Sequence, residues 1–222
     1  MVITAIVTVI AAYLIGSINF AVIFSSIFLK KDVRKMGSGN AGTTNVMRNA
    51  GFLPGALTFL CDALKGFVAA ILGKLIFEYI ITATAAGWAE PIYGAYICGT
   101  ACMLGHVFPI FYKFHGGKGI LIAGVCMLAI DPVVFLCEFV LFVLLVAITR
   151  YISVGSIACC FGYPLFTLIW QSVSNTYFGG VYECILVHTL IALAAGILCF
   201  WRHMPNVKRL MSHTESKFSF KK

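Results

Sequence analysis

The sequence predicts an all-α membrane protein with seven transmembrane helices, and three observations carry that prediction. Hydrophobic residues make up 61% of the 222 and charged residues only 11%, about half the charged share of a soluble protein. Nineteen Phe and a mean hydropathy of +0.98 make lipid the solvent, so the chain divides at about 20 residues per span. Lys and Arg, finally, fall in alternate connections between the apolar runs. Such a chain cannot build a water-facing surface, which excludes a soluble enzyme, a disordered chain and a secreted disulfide scaffold.

The apolar runs lie at 2–29, 52–82, 91–112, 120–130, 133–149, 156–173 and 182–200. The first begins at Met1 with no basic n-region or small-residue cleavage site and outruns a signal h-region, so it is read as a membrane helix. The run 120–130 is short, and Asp131-Pro132 separates it from 133–149, because proline and the residue before it resist continuing a helix. Two spans joined by a tight turn and one re-entrant hairpin both fit; the first keeps the charge alternation. The nine cysteines (Cys61, Cys98, Cys102, Cys126, Cys137, Cys159, Cys160, Cys184 and Cys199) sit in apolar stretches without CxxC spacing and read as small packing residues.

Lys30, Lys31, Arg34, Lys35 and Arg48 follow the first span, Lys113 and Lys118 the third, and Arg150 the fifth. Arg202, Lys208, Arg209, Lys217, Lys221 and Lys222 follow the seventh. Residues 83–90, Asp131, 174–181 and the N-terminus, on the opposite side, hold no Lys or Arg. The positive-inside rule therefore puts the N-terminus outside and the tail in the cytoplasm. The net charge of +8 follows from topology and anionic headgroups, without nucleic acid as a partner.

Unusual residues gather in the inside segments 36–51, 113–119, 150–156 and 201–215. The first holds Gly37, Ser38, Gly39, Asn40, Gly42, Thr43, Asn45 and Arg48. Glycine lets backbone N–H groups approach a phosphate, hydroxyls add donors, and arginine adds a charged fork. Residues 37–42 also satisfy G-x-G-x-x-G, but no strand precedes them and no βαβ unit surrounds them, so a dinucleotide site is rejected. The second runs on from Gly105, His106 and Pro109 to Gly116, Gly117, Lys118 and Gly119. It fails the P-loop pattern, having Gly119 where Ser or Thr is required, yet a lysine among glycines opening a helix can still present an ammonium and N–H groups to phosphate. In the third, Ser153 and Ser156 read as N-cap candidates. The fourth sets His203 beside Arg202 with Asn206 three residues on, and histidine exchanges protons near neutral pH.

Asp62 and Lys65, at i and i+3 on the second span, share a face, can neutralise each other and should face the bundle interior. Glu78, Glu138 and Glu183 lie nearer the outer ends and are expected to snorkel. His188 reads as a hydrogen-bonded packing residue, and no group has metal-ligand spacing.

Taken in order, these segments resemble the bacterial acyl-phosphate:glycerol-3-phosphate acyltransferases over nearly the whole chain. The resemblance rests on Gly37 to Asn45 with Arg48 and Gly51, Asp62 with Lys65-Gly66, Gly105-His106 with Phe108-Pro109, and Gly116 to Gly119. It continues in Ser153 with Gly155-Ser156, and in His203, Asn206, Arg209 and Glu215. It implies one integral-membrane domain over 1–222, with active-site segments 36–51, 105–119, 150–156 and 201–215 on the cytoplasmic side of the inner membrane. The implied reaction moves an acyl group from acyl phosphate to the first hydroxyl of glycerol 3-phosphate. Lysophosphatidate and inorganic phosphate result, with neither acyl-CoA nor acyl carrier protein required, no cofactor, no metal, and a monomeric enzyme.

Two phosphate-bearing substrates suit two glycine-rich cationic loops, and a mixed anhydride needs mainly positioning and charge neutralisation. Ser38, Arg48 and Lys118 would bind phosphate, helped by Gly37, Gly39, Asn40, Gly42, Thr43, Asn45, Gly116, Gly117, Gly119, Ser153 and Ser156. His203 and Asn206 would orient the attacking hydroxyl, with the proton going to His203 or to the substrate's own phosphate; Asp62, Lys65, His106 and Glu215 would support the site. Four positions depart from the family pattern: Asn19 for proline, Ala41 for proline, Ile122 for threonine and His213 for glycine. The rival reading, a transporter of a phosphorylated solute, favours a midplane site and internal repeats, and no repeat is visible.

Overall fold

The computed structural model describes residues 2–84, 90–180, 182 and 184–218; Glu183, Lys221, Lys222 and most of the connection 83–90 lie outside the described residues. Among the described residues all regular structure is helical: α1 (Val2–Ser17), α2 (Phe20–Leu29), α3 (Thr43–Ala50), α4 (Phe52–Thr84), α5 (Ile92–Val107), α6 (Ile120–Ile130), α7 (Pro132–Thr149), α8 (Ile152–Tyr177) and α9 (Ile185–Met211). Among the described residues, six stretches are long and apolar enough to cross a membrane: Val2–Leu29, Phe52–Thr84, Ile92–Tyr112, Pro132–Thr149, Ile152–Tyr177 and Ile185–Met211.

Two expectations about the spans change. The run 2–29 is broken, because Asn19 leaves helical geometry and its side-chain oxygen accepts the Val22 N–H at 3.1 Å, capping α2. The predicted span 120–130 is a helix of only 11 residues, about 16 Å at helical rise, against a hydrocarbon core of about 30 Å. The Asp131-Pro132 break falls where anticipated, and the structure adds that Asp131 caps α7 through the Val134 N–H while Pro132 opens that helix.

The chain forms two compact units, Met1–Ile130 and Asp131–Lys222. In the first, α5 packs on α1, α4 and α6, while α4 also meets α2 and α3. These contacts are close because the facing residues are small: a Cβ on Gly16 would strike the Cys102 backbone, and one on Gly105 the Tyr13 carbonyl. In the second unit α8 packs on both α7 and α9. Large apolar side chains such as Ile3, Leu64, Leu136, Ile148 and Leu186 face outward, as lipid contact requires.

Asp62 and Lys65 are buried as expected. Glu138 does not snorkel: it is 4% exposed, its carboxyl lying where a Cβ on Gly162 would otherwise stand. His188 is a packing residue, its Nδ1 3.0 Å from Gln171 Oε1. Cys102 and Cys126, both buried, turn their thiols to the Lys65 and Gly66 carbonyls.

Gly105→Val should overpack the α1–α5 contact and cost about 1–3 kcal/mol. The check is a fall in thermal unfolding temperature of purified protein, with secondary structure retained.

Candidate active site

Segment 36–42 is a loop built around one side chain. Asn45 Oδ1 accepts the Ser38 N–H at 3.1 Å, and Asn45 Nδ2 donates to the Val33, Met36 and Asn40 carbonyls, each at 3.0 Å. Asn49 Nδ2 adds a bond to the same oxygen at 3.0 Å. Asn45, expected among the ligand-binding residues, therefore scaffolds the loop. Gly37 and Gly39 take left-handed backbone, φ 53° and 71°, which winds the loop and leaves Ser38 exposed at its tip. Gly42 opens α3 with no side-chain cap, so no capping side chain covers the first-turn N–H groups at Thr43 and Thr44. Arg48 lies exposed in the last turn of the same helix.

Segment 113–119 packs against the end of α5. The Gly117 N–H donates to the His106 carbonyl at 3.1 Å. A Cβ on Gly117 would fall on His106 Nε2 on one side and 2.8 Å from the Ala41 carbonyl on the other, so glycine alone lets the two loops meet. Lys118, half-buried, follows directly, and Gly119 at φ 89° leads into α6.

Lys65 lies beneath this loop. Its Nζ is 2.7 Å from Asp62 Oδ1, 3.1 Å from the Gly16 carbonyl, 2.6 Å from the Ile18 carbonyl and 3.2 Å from His106 Nδ1. An ammonium can only donate, so Nδ1 of His106 accepts and the ring proton sits on Nε2, the edge facing Gly117.

Sequence reasoning missed Asp32 and Arg34. Arg34 forms a bidentate pair with Asp32, 2.7 Å at Nη2, and its Nη1 donates to the Tyr112 and His115 carbonyls at 3.1 and 3.2 Å. The hydrogen bond from Arg34 holds the Asp32 carboxyl below its usual range, and the same bond raises Arg34. The available signal was one acid within the basic run 30–35.

In the second unit, α8 begins at Ile152 after Tyr151, so Ser153 and Ser156 are not N-caps but buried residues of its first turns. His203 and Asn206 are buried on α9, 2% and 5% exposed. His203 Nδ1 is 2.7 Å from the Cys199 carbonyl; a carbonyl only accepts, so Nδ1 carries hydrogen, and in the neutral ring Nε2 is the basic nitrogen. Glu215 clasps α9 from the tail, accepting from Asn206 Nδ2 at 2.9 Å and Arg209 Nε at 2.6 Å. Burial works to raise the Glu215 pKa, but the bonds from Arg209 and Asn206 outweigh it and leave the group below its ordinary value.

The profile of the family described as glycerol-3-phosphate acyltransferase matches residues 6–213. The chain belongs to that family. It is 37% identical over 217 residues to the glycerol-3-phosphate acyltransferase of Thermoanaerobacter sp. (strain X514), covering 98% of this chain and 97% of the relative. It is 35% identical over 218 residues to that of Clostridioides difficile (strain 630), covering 98% and 97%. The crystal structure of PlsY (YgiH), an integral membrane glycerol 3-phosphate acyltransferase in its glycerol 3-phosphate form, matches with a TM-score of 0.78 at 32% identity. That match covers 97% of this chain and 96% of the other.

The four departures from the family pattern have local accounts. Asn19 breaks the first run by capping instead of by ring constraint. Ala41 is fully buried, with its carbonyl toward Gly117. Ile122 is buried against Gly66 between α4 and α6. His213 holds the left-handed conformation, φ 57°, that glycine adopts without strain.

His213→Gly should relieve about 1 kcal/mol of backbone strain and raise the unfolding temperature with activity retained. Because Glu215 is lowered on folding, its contribution is fully present above the ordinary value of 4.5 and lost as pH falls through the folded value. Wild-type unfolding temperature should therefore drop more steeply than that of Glu215→Gln below about pH 4.5.

Proposed function

We propose that this chain transfers a fatty acyl group from acyl phosphate to the first hydroxyl of glycerol 3-phosphate, releasing lysophosphatidate and inorganic phosphate. The supporting observation is the meeting of two glycine-rich, cation-bearing loops in the first unit, Ala41 against Gly117, in a member of a family named for glycerol-3-phosphate acyl transfer. In this reading Ser38, Arg48 and Lys118 neutralise phosphate, with the backbone N–H groups of Asn40 and Gly119 as further donors, while Gly39 and Gly117, whose N–H groups are bonded to the Met36 and His106 carbonyls, shape the loops. Asn45, Asp62, Lys65 and His106 act behind them, shaping the loops. Ser153 and Ser156 add hydroxyls, and His203 and Asn206 orient the attacking hydroxyl.

The hydroxyl oxygen attacks the acyl carbonyl, the carbon–oxygen bond to phosphate breaks, and phosphate leaves with the bonding pair. The hydroxyl proton goes to His203 Nε2 or to the departing phosphate, which then leaves as hydrogen phosphate. A mixed anhydride carries its own leaving group, so fixed charge and proximity supply the rate and no covalent enzyme intermediate is needed. The same reading makes the protein a multi-pass monomer of the inner membrane with its N-terminus outside and both loops cytoplasmic.

Purified protein supplied with acyl phosphate and glycerol 3-phosphate should release phosphate and lysophosphatidate in equal amounts. Solute uptake into vesicles without product would instead favour a transporter. Lys118→Ala and Arg48→Ala should each abolish turnover while the protein stays folded and monodisperse; normal rates in both would remove the site. In His203→Ala, near-normal activity across neutral pH would assign the proton to the substrate phosphate, and loss of activity with its neutral-pH limb would assign it to Nε2.

A further inference from the structure

The turn ahead of Lys118 is strained. Lys113 and Phe114 are consecutive non-glycine residues at φ 56° and 59°. Such residues are disfavoured and persist only where their surroundings over-determine them. The two carbonyls flanking that pair, Tyr112 O and His115 O, are both taken by Nη1 of Arg34, whose guanidinium also lies 5.5 Å from the Tyr112 ring centroid. Arg34 is in turn fixed by its fork with Asp32. On the inner side, Gly117 is seated on His106 by the bond to its carbonyl and by the ring edge at Nε2. That ring is held by Lys65, itself paired with Asp62 and anchored to the Gly16 and Ile18 carbonyls.

We propose that Arg34 and His106 are positioning residues that brace the 113–119 loop from opposite sides and thereby aim Lys118 and the neighbouring N–H groups at substrate phosphate. Neither side chain touches the substrate. Arg34, placed like a phosphate ligand by charge alone, has its guanidinium committed to Asp32 and two carbonyls. The inference rests on the acyltransferase reading and adds what sets phosphate affinity in it.

The test titrates inorganic phosphate against purified full-length protein, by direct binding and by inhibition of acyl transfer, alongside thermal unfolding. Arg34→Gln and His106→Asn, the latter keeping an acceptor for Lys65, should each weaken phosphate about tenfold or more, since small misplacements of a binding group carry such penalties. They should raise KM more than they lower kcat and leave the unfolding temperature within a few degrees of wild type. Arg34→Lys, keeping the charge but not the fork, should behave like Arg34→Gln; recovery of affinity by lysine would show a long-range charge effect and overturn the outer brace. A His106→Asn protein that does not fold would overturn the inner brace, by showing that the ring holds the bundle, and Arg34→Gln would still decide the outer one. Wild-type phosphate affinity in both variants of an active enzyme would sink the inference alone. Wild-type protein that neither binds phosphate nor transfers acyl groups would sink the functional reading instead.

Discussion

Lys65 places an ammonium on α4 in the interior of the first unit, 5% exposed, and the end of α1 and the end of α5 meet on it. Removing one partner of such a buried pair leaves an uncompensated charge at a cost of about 3–5 kcal/mol, so the surrounding acceptors must be in place for the unit to form. Asp62 supplies the counter-charge, the end of α1 supplies two carbonyls, and His106 supplies a ring nitrogen. The break between α1 and α2 and this ammonium satisfy each other. A helix end inside a membrane protein needs donors for its carbonyls, and a buried lysine needs acceptors.

From that hub order passes outward to the loops. His106 carries it to Gly117, and the glycine there permits an approach to Ala41 that any side chain would block. On the far side of that contact, Asn45 organises segment 36–42 almost alone, by turning one amide to three carbonyls and one N–H. The loops thus keep their shape through buried amide, imidazole and ammonium groups, which leaves Ser38 and Arg48 exposed. The second unit uses a similar economy: Glu215 fixes Asn206 and Arg209, while Cys199 sets the tautomer of His203.

Much of this was legible in the residues. The apolar runs, the Asp131-Pro132 joint, the inward-facing Asp62–Lys65 pair and the glycine-rich loops all followed from patterns within a few positions of chain. The misses share a cause. Asn19 lies in an apolar run whose hydropathy hides a cap, and Glu138 was judged by its depth in the span when Gly162, twenty-four positions on, makes the space that buries it. Arg34 was counted as one inside charge among several, because its partners beyond Asp32 are backbone carbonyls 78 and 81 residues away. Ser153 looked like a cap because helix starts are read from residue type, and the true start at Ile152 moved it inside the helix.

Composition and hydropathy by themselves determined that this is a helical membrane protein, and the order of its glycine, histidine and charged motifs determined its family. Both are properties of residue type and spacing, which solvent and local backbone chemistry act on directly. Which polar residues reach toward a ligand and which hold the backbone was decided only by the fold. Asn45, His106 and Arg34 are residue types that can bind phosphate, and what separates them is that the fold has already engaged them: Asn45 and Arg34 donate to backbone carbonyls, and the His106 ring accepts from Lys65.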